Sequence, residues 1–292
     1  MLQHILIAVL CLTSFISPAN AKSEIEETIE QTLDFKSGQW LKISGINGSI
    51  TIKTGNENRI HMVAIKKAKA KNKKEAQEVL DATWIEILPI TDGLKIATKH
   101  PEKRMLRGGK SVHINYILTV PQVLNMSAST TNGEIKISDT EGETLAKTTN
   151  GKIIIDDLKG ALTTRTTNGE IKIKNVAGSV VAKTTNGGIE LDHIRGGINA
   201  KTTNGSVDVN IIELPNEPVQ IQTTNGSIAL TLPPDVQAQL KAQTSNGRIS
   251  TDFPITLQGN FSRKSLQGAL NGGGNIHISL HTTNGNINID PR

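Results

Sequence analysis

The strongest signal in the chain is an alternation of apolar and polar residues that restarts in the same phase again and again. Thr-Thr-Asn-Gly begins at Thr130, Thr148, Thr166, Thr184, Thr202, Thr223 and Thr282, and Thr-Ser-Asn-Gly at Thr244. The steps are 18, 18, 18, 18, 21, 21 and 38 residues. After each tetrad comes a strand-like stretch with apolar residues two apart, such as Ile135/Ile137, Ile153/Ile155, Ile171/Ile173 and Ile189/Leu191. Before it comes a shorter one, as in Leu162–Thr164, Val180–Ala182 and Ile198–Ala200. Alternation with period two marks a half-buried strand, and a fixed short period marks a solenoid. The pattern therefore predicts an all-β, two-sheet parallel β-solenoid with roughly 18-residue coils. Branched aliphatics line one sheet inside, and Ala and Thr line the other. Asn-Gly falls at the corner between the strands, where positive φ is expected and the Asn side chains can stack coil on coil. The coils are expected to stack in chain order.

The flanks are less regular. Residues 22–125 carry one degenerate unit, Gly45-Ile46-Asn47-Gly48 followed by Ile50 and Ile52. Strand-like runs follow at 59–65, 84–88, 94–98 and 112–120, and residues 73–82 form the one convincing helix, with Ala76, Val79 and Leu80 on its apolar side. This reads as an irregular β-rich N-terminal part that closes the first end of the coils. Lys66, Lys67, Lys69, Lys71, Lys73 and Lys74 suggest a solvated hairpin tip running into the helix, with attachment to anionic lipid or glycan as the sharper reading. Residues 126–292 read as the repeat domain. Corner loops are enlarged at 214–218 and 233–235, and a capping insertion lies at about 252–275.

Residues 1–21 have an apolar run from Ile5 to Leu12, a breaker at Pro18 and a small-residue cleavage site at Ala19-Asn20-Ala21. That is the layout of a secretory signal peptide, and the apolar run is too short for a mature membrane span. The one cysteine, Cys11, lies inside it, so a disulfide framework is excluded. Only 2% of residues are aromatic, which fits a narrow core of small and branched side chains. The formal net charge of +5 is too small to imply disorder.

The exported start, the T-x-N-G-x-I-x-I repeats and the closing stretch from Gly268 to Ile289 (G-x-x-x-G-G-G-N-I-x-I-x-x-x-T-T-N-G-x-I-x-I) together resemble one family. It is the bacterial putative-adhesin family of β-strand-repeat proteins, a domain of unknown function. The resemblance runs from about Ser37 to the end. It implies the repeat architecture and a surface or adhesive role, and it carries over no catalytic residue.

Chemistry is sparse. No phosphate-binding glycine loop, His-Glu-x-x-His, Cys-x-x-Cys or Gly-x-Ser-x-Gly occurs. His277 and His281 are four apart on one predicted strand, too far for a shared metal. Asp156, Asp157, Asp192 and His193 read as turn residues, and Glu134, Lys152 and Glu170 as cross-coil ion pairs. No catalytic residue, cofactor or metal site is expected, and the chain does not read as an enzyme. One outward column stands apart. Lys147, Arg165, Lys183 and Lys201 should stack with no acid among their strand positions except Glu143. Like charges ~5 Å apart in water repel by about 0.8 kcal/mol per pair, which suggests a polyanionic partner.

The sequence thus predicts an exported cell-envelope or surface interaction protein, in the periplasm, at the outer membrane or outside the cell. Its mature chain has no transmembrane segment. Expected partners are acidic polysaccharide, lipopolysaccharide or another envelope component, and nucleic acid is not expected. The alternatives are a glycan-active enzyme on a β-helix, signalled by a cleft with two carboxylates, and a periplasmic component of envelope-stress sensing.

Overall fold

The alternating stretches become strands because each buries every second side chain against the strand opposite. The computed structural model describes residues 8–9, 23–100, 108–214, 216–258 and 262–292. The predicted leader lies outside the described residues except Ala8 and Val9, which pair with Glu30 and Ile29. The described residues form strands in two mostly parallel sheets and one helix, so the two-sheet solenoid is what the chain adopts. They divide into two compact units, Met1–Glu141 and Gly142–Arg292.

In the second unit each coil contributes one strand to each sheet. Ile153, Ile171, Ile189, Val207, Ile228 and Ile287 form a buried row in one sheet. Leu162, Val180, Ile198 and Val219 form the facing row in the other. Every tetrad-opening Thr in this unit is also buried, and its hydroxyl is not left unpaired. Thr166 donates to the carbonyl of Gly151 at 3.1 Å, Thr184 to Gly169 at 3.0 Å and Thr202 to Gly187 at 2.9 Å. A buried hydroxyl without a partner is costly, so the repeating glycine carbonyl is what makes Thr suit a position that Val would otherwise fill.

The Asn side chains form the expected ladder. Each Nδ2 donates to the Oδ1 of an adjacent coil at 2.7–2.8 Å, from Asn168 on Asn150 through Asn186, Asn204, Asn225 and Asn284 to Asn246. The backbone explanation differs from the expected one. No Asn of the ladder has positive φ. Left-handed residues sit at another corner, on Asp157 (φ 52°), Asn175 (54°) and His193 (56°). Of the tetrad glycines, Gly187 and Gly285 have positive φ (156° and 158°), and the common need of the column is for space. A Cβ on Gly169 would lie 1.8 Å from the Gly151 carbonyl oxygen, and one on Gly205 2.1 Å from that of Gly187.

Coil order also departs from chain order. The strand Ile276–Asn284 pairs with Val219–Gln222 on one side and Ala238–Asn246 on the other. Likewise Ile287–Pro291 lies between Ile228–Leu232 and Ile249–Thr251. The coil of residues 276–291 therefore occupies an inner slot, and the earlier coil 238–251 lies outside it. The capping insertion supplies the strand Ser265–Leu270, which adds antiparallel to Ala238–Asn246, and the strand Ile255–Leu257, which adds antiparallel to Ser265–Leu270 in turn. Antiparallel pairing ends a stack that parallel addition would otherwise leave open.

The first unit breaks order in the same manner. The degenerate coil, with strands Trp40–Ser44 and Ile50–Thr54, is inner. Gly93–Lys99 and Ser111–Val120 flank it on one side, and Asn125–Ser129 and Ile135–Glu141 on the other. Three long strands, Ser23–Asp34, Arg59–Ala70 and Ser111–Val120, run antiparallel. The helix Lys73–Asp81, capped by Asn72 accepting from the Glu75 N–H, packs Ala76, Val79 and Leu80 on Ile25, Ala68, Ala70 and Val112. Half of the lysine cluster is solvated as expected, with Lys71, Lys73 and Lys74 exposed just before and at the start of the helix, and the other half forms no hairpin tip. Lys66, Lys67 and Lys69 lie within a strand, opposite the glutamates of its neighbour. Lys66 contacts Glu27 at 2.7 Å, Lys67 contacts Glu26 at 2.8 Å and Lys69 contacts Glu24 at 3.0 Å. Opposite charges directly across a sheet favour this pairing, and they remove half of the cluster from any anion-binding role.

Tyr116, the one tyrosine of the chain, is fully buried in this unit and shares a 2.7 Å hydrogen bond with Thr98. Burial pushes its phenol up to about 12, against the opposing effect of the Thr98 bond. The unfolded value is about 10, so this group favours the fold below pH ~10 and the contribution fades as pH rises toward 12. Ultraviolet titration of the native protein should show no phenolate near pH 10 and a step only near 12 or on unfolding. A native step at 10 would contradict the burial.

Candidate functional site

The four predicted basic residues come together as a row in the second unit. Lys147 is directly opposite Arg165, Arg165 opposite Lys183, and Lys183 opposite Lys201. Adjacent parallel strands lie roughly 4.8 Å apart, which sets the pitch of the row. Each residue ends its strand and points outward, because the next residue inward along the chain is a buried tetrad Thr. Lys147, Arg165 and Lys201 are exposed and Lys183 is half-buried. Among the described residues none of the four side chains makes an ion pair.

The neighbouring rows are uncharged. On one side, in register, stand Leu145, Thr163, Val181 and Asn199. On the other stand the exposed Thr149, Thr167, Thr185 and Thr203, and beyond them the amide ladder. Further along the same sheet the row continues as Gln222, His281 and Gln243. The sequence could not place His281 there, since it comes from the displaced coil 276–291.

The opposite sheet has a different electrostatic character. Lys152 contacts Glu170 at 3.0 Å, and Lys172 contacts both Glu170 at 3.4 Å and Glu190 at 2.7 Å. Partial burial pushes the Glu170 carboxyl up, but its bonds to Lys152 and Lys172 outweigh that and hold it below the ordinary range. Asp208 shifts the other way, raised by burial and by the charges of Glu190 and Asp192. One outer face thus pairs its charges across coils, as expected for Lys152 and Glu170, while the other carries an uncompensated line of cations. Asp157 and His193 take left-handed backbone at the strand bulge, as turn residues do.

An open groove of about 590 Å³ lies among the enlarged corner loops, lined in part by Glu213, Asn216, Asp235, Gln237 and Asn275. Two carboxylates reach it, and Glu213 also approaches Arg195 at 3.7 Å. Among the described residues no cluster of three or more His, Cys, Asp or Glu could hold a metal, and no helix is long and apolar enough to cross a membrane.

Residues 39–290 match the model of the family described as Toastrack DUF4097. The chain belongs to the Toastrack DUF4097 family. That span takes in the degenerate coil, every tetrad and both displaced coils. Among solved structures, a putative adhesin from Bacteroides fragilis is similar at 12% identity with a TM-score of 0.50, over 91% of this chain and 97% of that one. A putative lipid binding protein from Parabacteroides distasonis is similar at 10% identity with a TM-score of 0.39, over 90% and 96%. At 12% identity the likeness to the Bacteroides fragilis protein is one of fold. No curated protein matches the chain.

Proposed function

We propose that this Toastrack protein is a non-catalytic interaction protein of the exported cell envelope or cell surface. It binds an acidic polymer lengthwise along the row Lys147, Arg165, Lys183 and Lys201. The observation that carries this reading is the contrast between the two outer faces. The paired face shows that this chain neutralises charge across coils where stability alone is at stake. The basic row leaves four cations in line, with nothing to offset a repulsion of about 0.8 kcal/mol per adjacent pair in water. A flexible polyanion such as an acidic polysaccharide lays its charges along such a line, so several weak contacts act together. The flat amide and hydroxyl rows beside it offer hydrogen bonds to sugar hydroxyls. The similarity to a putative adhesin is in keeping with a surface role in general terms.

Replacing all four by Gln tests the reading. Retention of the intact protein on immobilised acidic polysaccharide should fall about tenfold or more at low salt and lose most of its salt dependence. A matched variant of the paired face, Lys152→Gln with Lys172→Gln, should bind as before. Unchanged retention in the four-residue variant would reject the face, and retention on lipopolysaccharide alone would identify that as the ligand.

The groove beside Glu213 and Asp235 supports a second reading, hydrolysis of a glycan by two carboxylates. Release of reducing ends from envelope glycans, abolished in both Glu213→Gln and Asp235→Asn, would establish it in place of the first.

A further inference from the structure

The chain carries Asn-Gly at every tetrad, the dipeptide whose flexible, unbranched glycine most readily allows its amide nitrogen to attack the preceding side chain. In the folded coils that nitrogen is occupied. Gly151 donates to the carbonyl of Asn168 at 3.0 Å, Gly169 to Asn186 at 2.9 Å, and Gly187 to Asn204 at 2.9 Å. Gly205 donates to Asn225 at 2.9 Å, Gly226 to Asn284 at 2.9 Å and Gly285 to Asn246 at 3.1 Å. Each of these bonds points from one coil to the next in the stack. Because coil 276–291 takes an inner slot, the direction ends at Asn246-Gly247. Among the described residues the Gly247 N–H has no hydrogen-bond partner. The side-chain ladder ends at the same residue. Asn246 Nδ2 donates to Asn284 Oδ1 at 2.8 Å, while among the described residues Asn246 Oδ1 accepts from no further Asn. Asn246 is exposed, as are Asn150, Asn168, Asn186, Asn204 and Asn225, so solvent access does not distinguish it from them.

We propose that Asn246 is a site of spontaneous, self-limited deamidation, with water as co-reactant, in a ladder whose other members are protected by stacking. The Gly247 amide loses its proton to a solvent base and its nitrogen forms a bond to Asn246 Cγ. The Cγ–Nδ2 bond breaks and ammonia leaves with a proton, giving a cyclic imide. Water then opens the imide to aspartate or isoaspartate. No oxidant or metal enters. The same step at an inner coil must first break the glycine N–H bond to the adjacent coil and the amide bond from the next Asn. Two such bonds slow it by about thirtyfold. Two Asn-Gly pairs lie outside the tetrads: the Gly48 N–H of Asn47-Gly48 donates to the Asn132 carbonyl at 2.9 Å, and the carboxamide of Asn271 in Asn271-Gly272 is tied to the carbonyls of Pro234 and Val236 at 2.9 Å.

The test is to age the native full chain at mildly alkaline pH and follow each Asn-Gly by peptide mass mapping that separates isoaspartate. The same chain in denaturant gives each site its unprotected rate. Asn246 should convert at close to its denatured rate. Asn150, Asn168, Asn186, Asn204, Asn225 and Asn284 should each be slower than theirs by about thirtyfold or more. Equal slowing at Asn246, or fast conversion at the six inner sites, would overturn the proposal. In Asn246→Ser the Gly285 N–H keeps its backbone acceptor, so Asn284 should stay slow. Rapid conversion of Asn284 in that variant would overturn the role given to the glycine N–H.

Discussion

Two adjacent glycines should respond to alanine in opposite ways. In Gly187→Ala the new methyl would lie 2.0 Å from the carbonyl oxygen of Gly169, which accepts from the Thr184 hydroxyl at 3.0 Å while the Gly169 N–H donates to Asn186 at 2.9 Å. Neither backbone can retreat without breaking bonds on both sides, and φ of +156° at Gly187 adds strain for any L residue. The expected cost is about 3 kcal/mol or more, a large share of the stability of a domain. In Gly188→Ala the methyl would have only the Ser206 carbonyl oxygen near it, at 3.4 Å, which is ordinary contact. Its effect should stay within about 0.5 kcal/mol. Denaturant unfolding of the two variants against the parent checks this. A similar cost for both would show that the glycine column answers to chain flexibility and not to the close approach of coils.

The second large effect concerns the displaced coil. A chain stopped after Asn275 lacks Ile278, Leu280, Ile287 and Ile289, all buried. Their burial contributes on the order of 6 to 12 kcal/mol. The loss does not fall on an end coil. It removes the partner that joins Val219–Leu232 to Ala238–Thr251. Residues 238–270 should therefore lose amide protection together, while the coils from Thr144 to Leu232 keep theirs, since a repeat stack fails locally at its weakest interface. Hydrogen exchange read by mass spectrometry resolves the two regions. Persistent protection across 238–270 would show that this coil and hairpin hold to the stack without their inner neighbour.

Much of the architecture was legible because solenoid stacking matches like with like. The Ile rows, the Ala and Thr rows, the Asn ladder and the basic row all follow from one 18-residue phase. Coil order was not legible. Thr223, Thr244 and Thr282 open almost identical tetrads, so each fits beside either of the others, and local letters do not rank the arrangements. The 38-residue gap before Thr282 was the only hint, and a cap explained it equally well. The corner glycine was placed correctly for only part of the reason. A φ preference is readable from dipeptide statistics, whereas a carbonyl from another coil is visible only once the coils are stacked. Lys66, Lys67 and Lys69 were misplaced because their glutamate partners lie some forty residues earlier. For the candidate site, the sequence supplied the four cations and the structure supplied their isolation, through the ion pairs seen on the other face.

Coil 276–291 follows in sequence the coil and hairpin that enclose it. During synthesis, the chain from 238 to 270 emerges while the slot beneath it is still vacant. Two facing strand edges then wait for a single segment. The same segment from a second molecule fits that seam as well as the chain's own. Crowded, half-emerged chains therefore have a built-in route to intertwined dimers, and delivery one chain at a time favours the monomer.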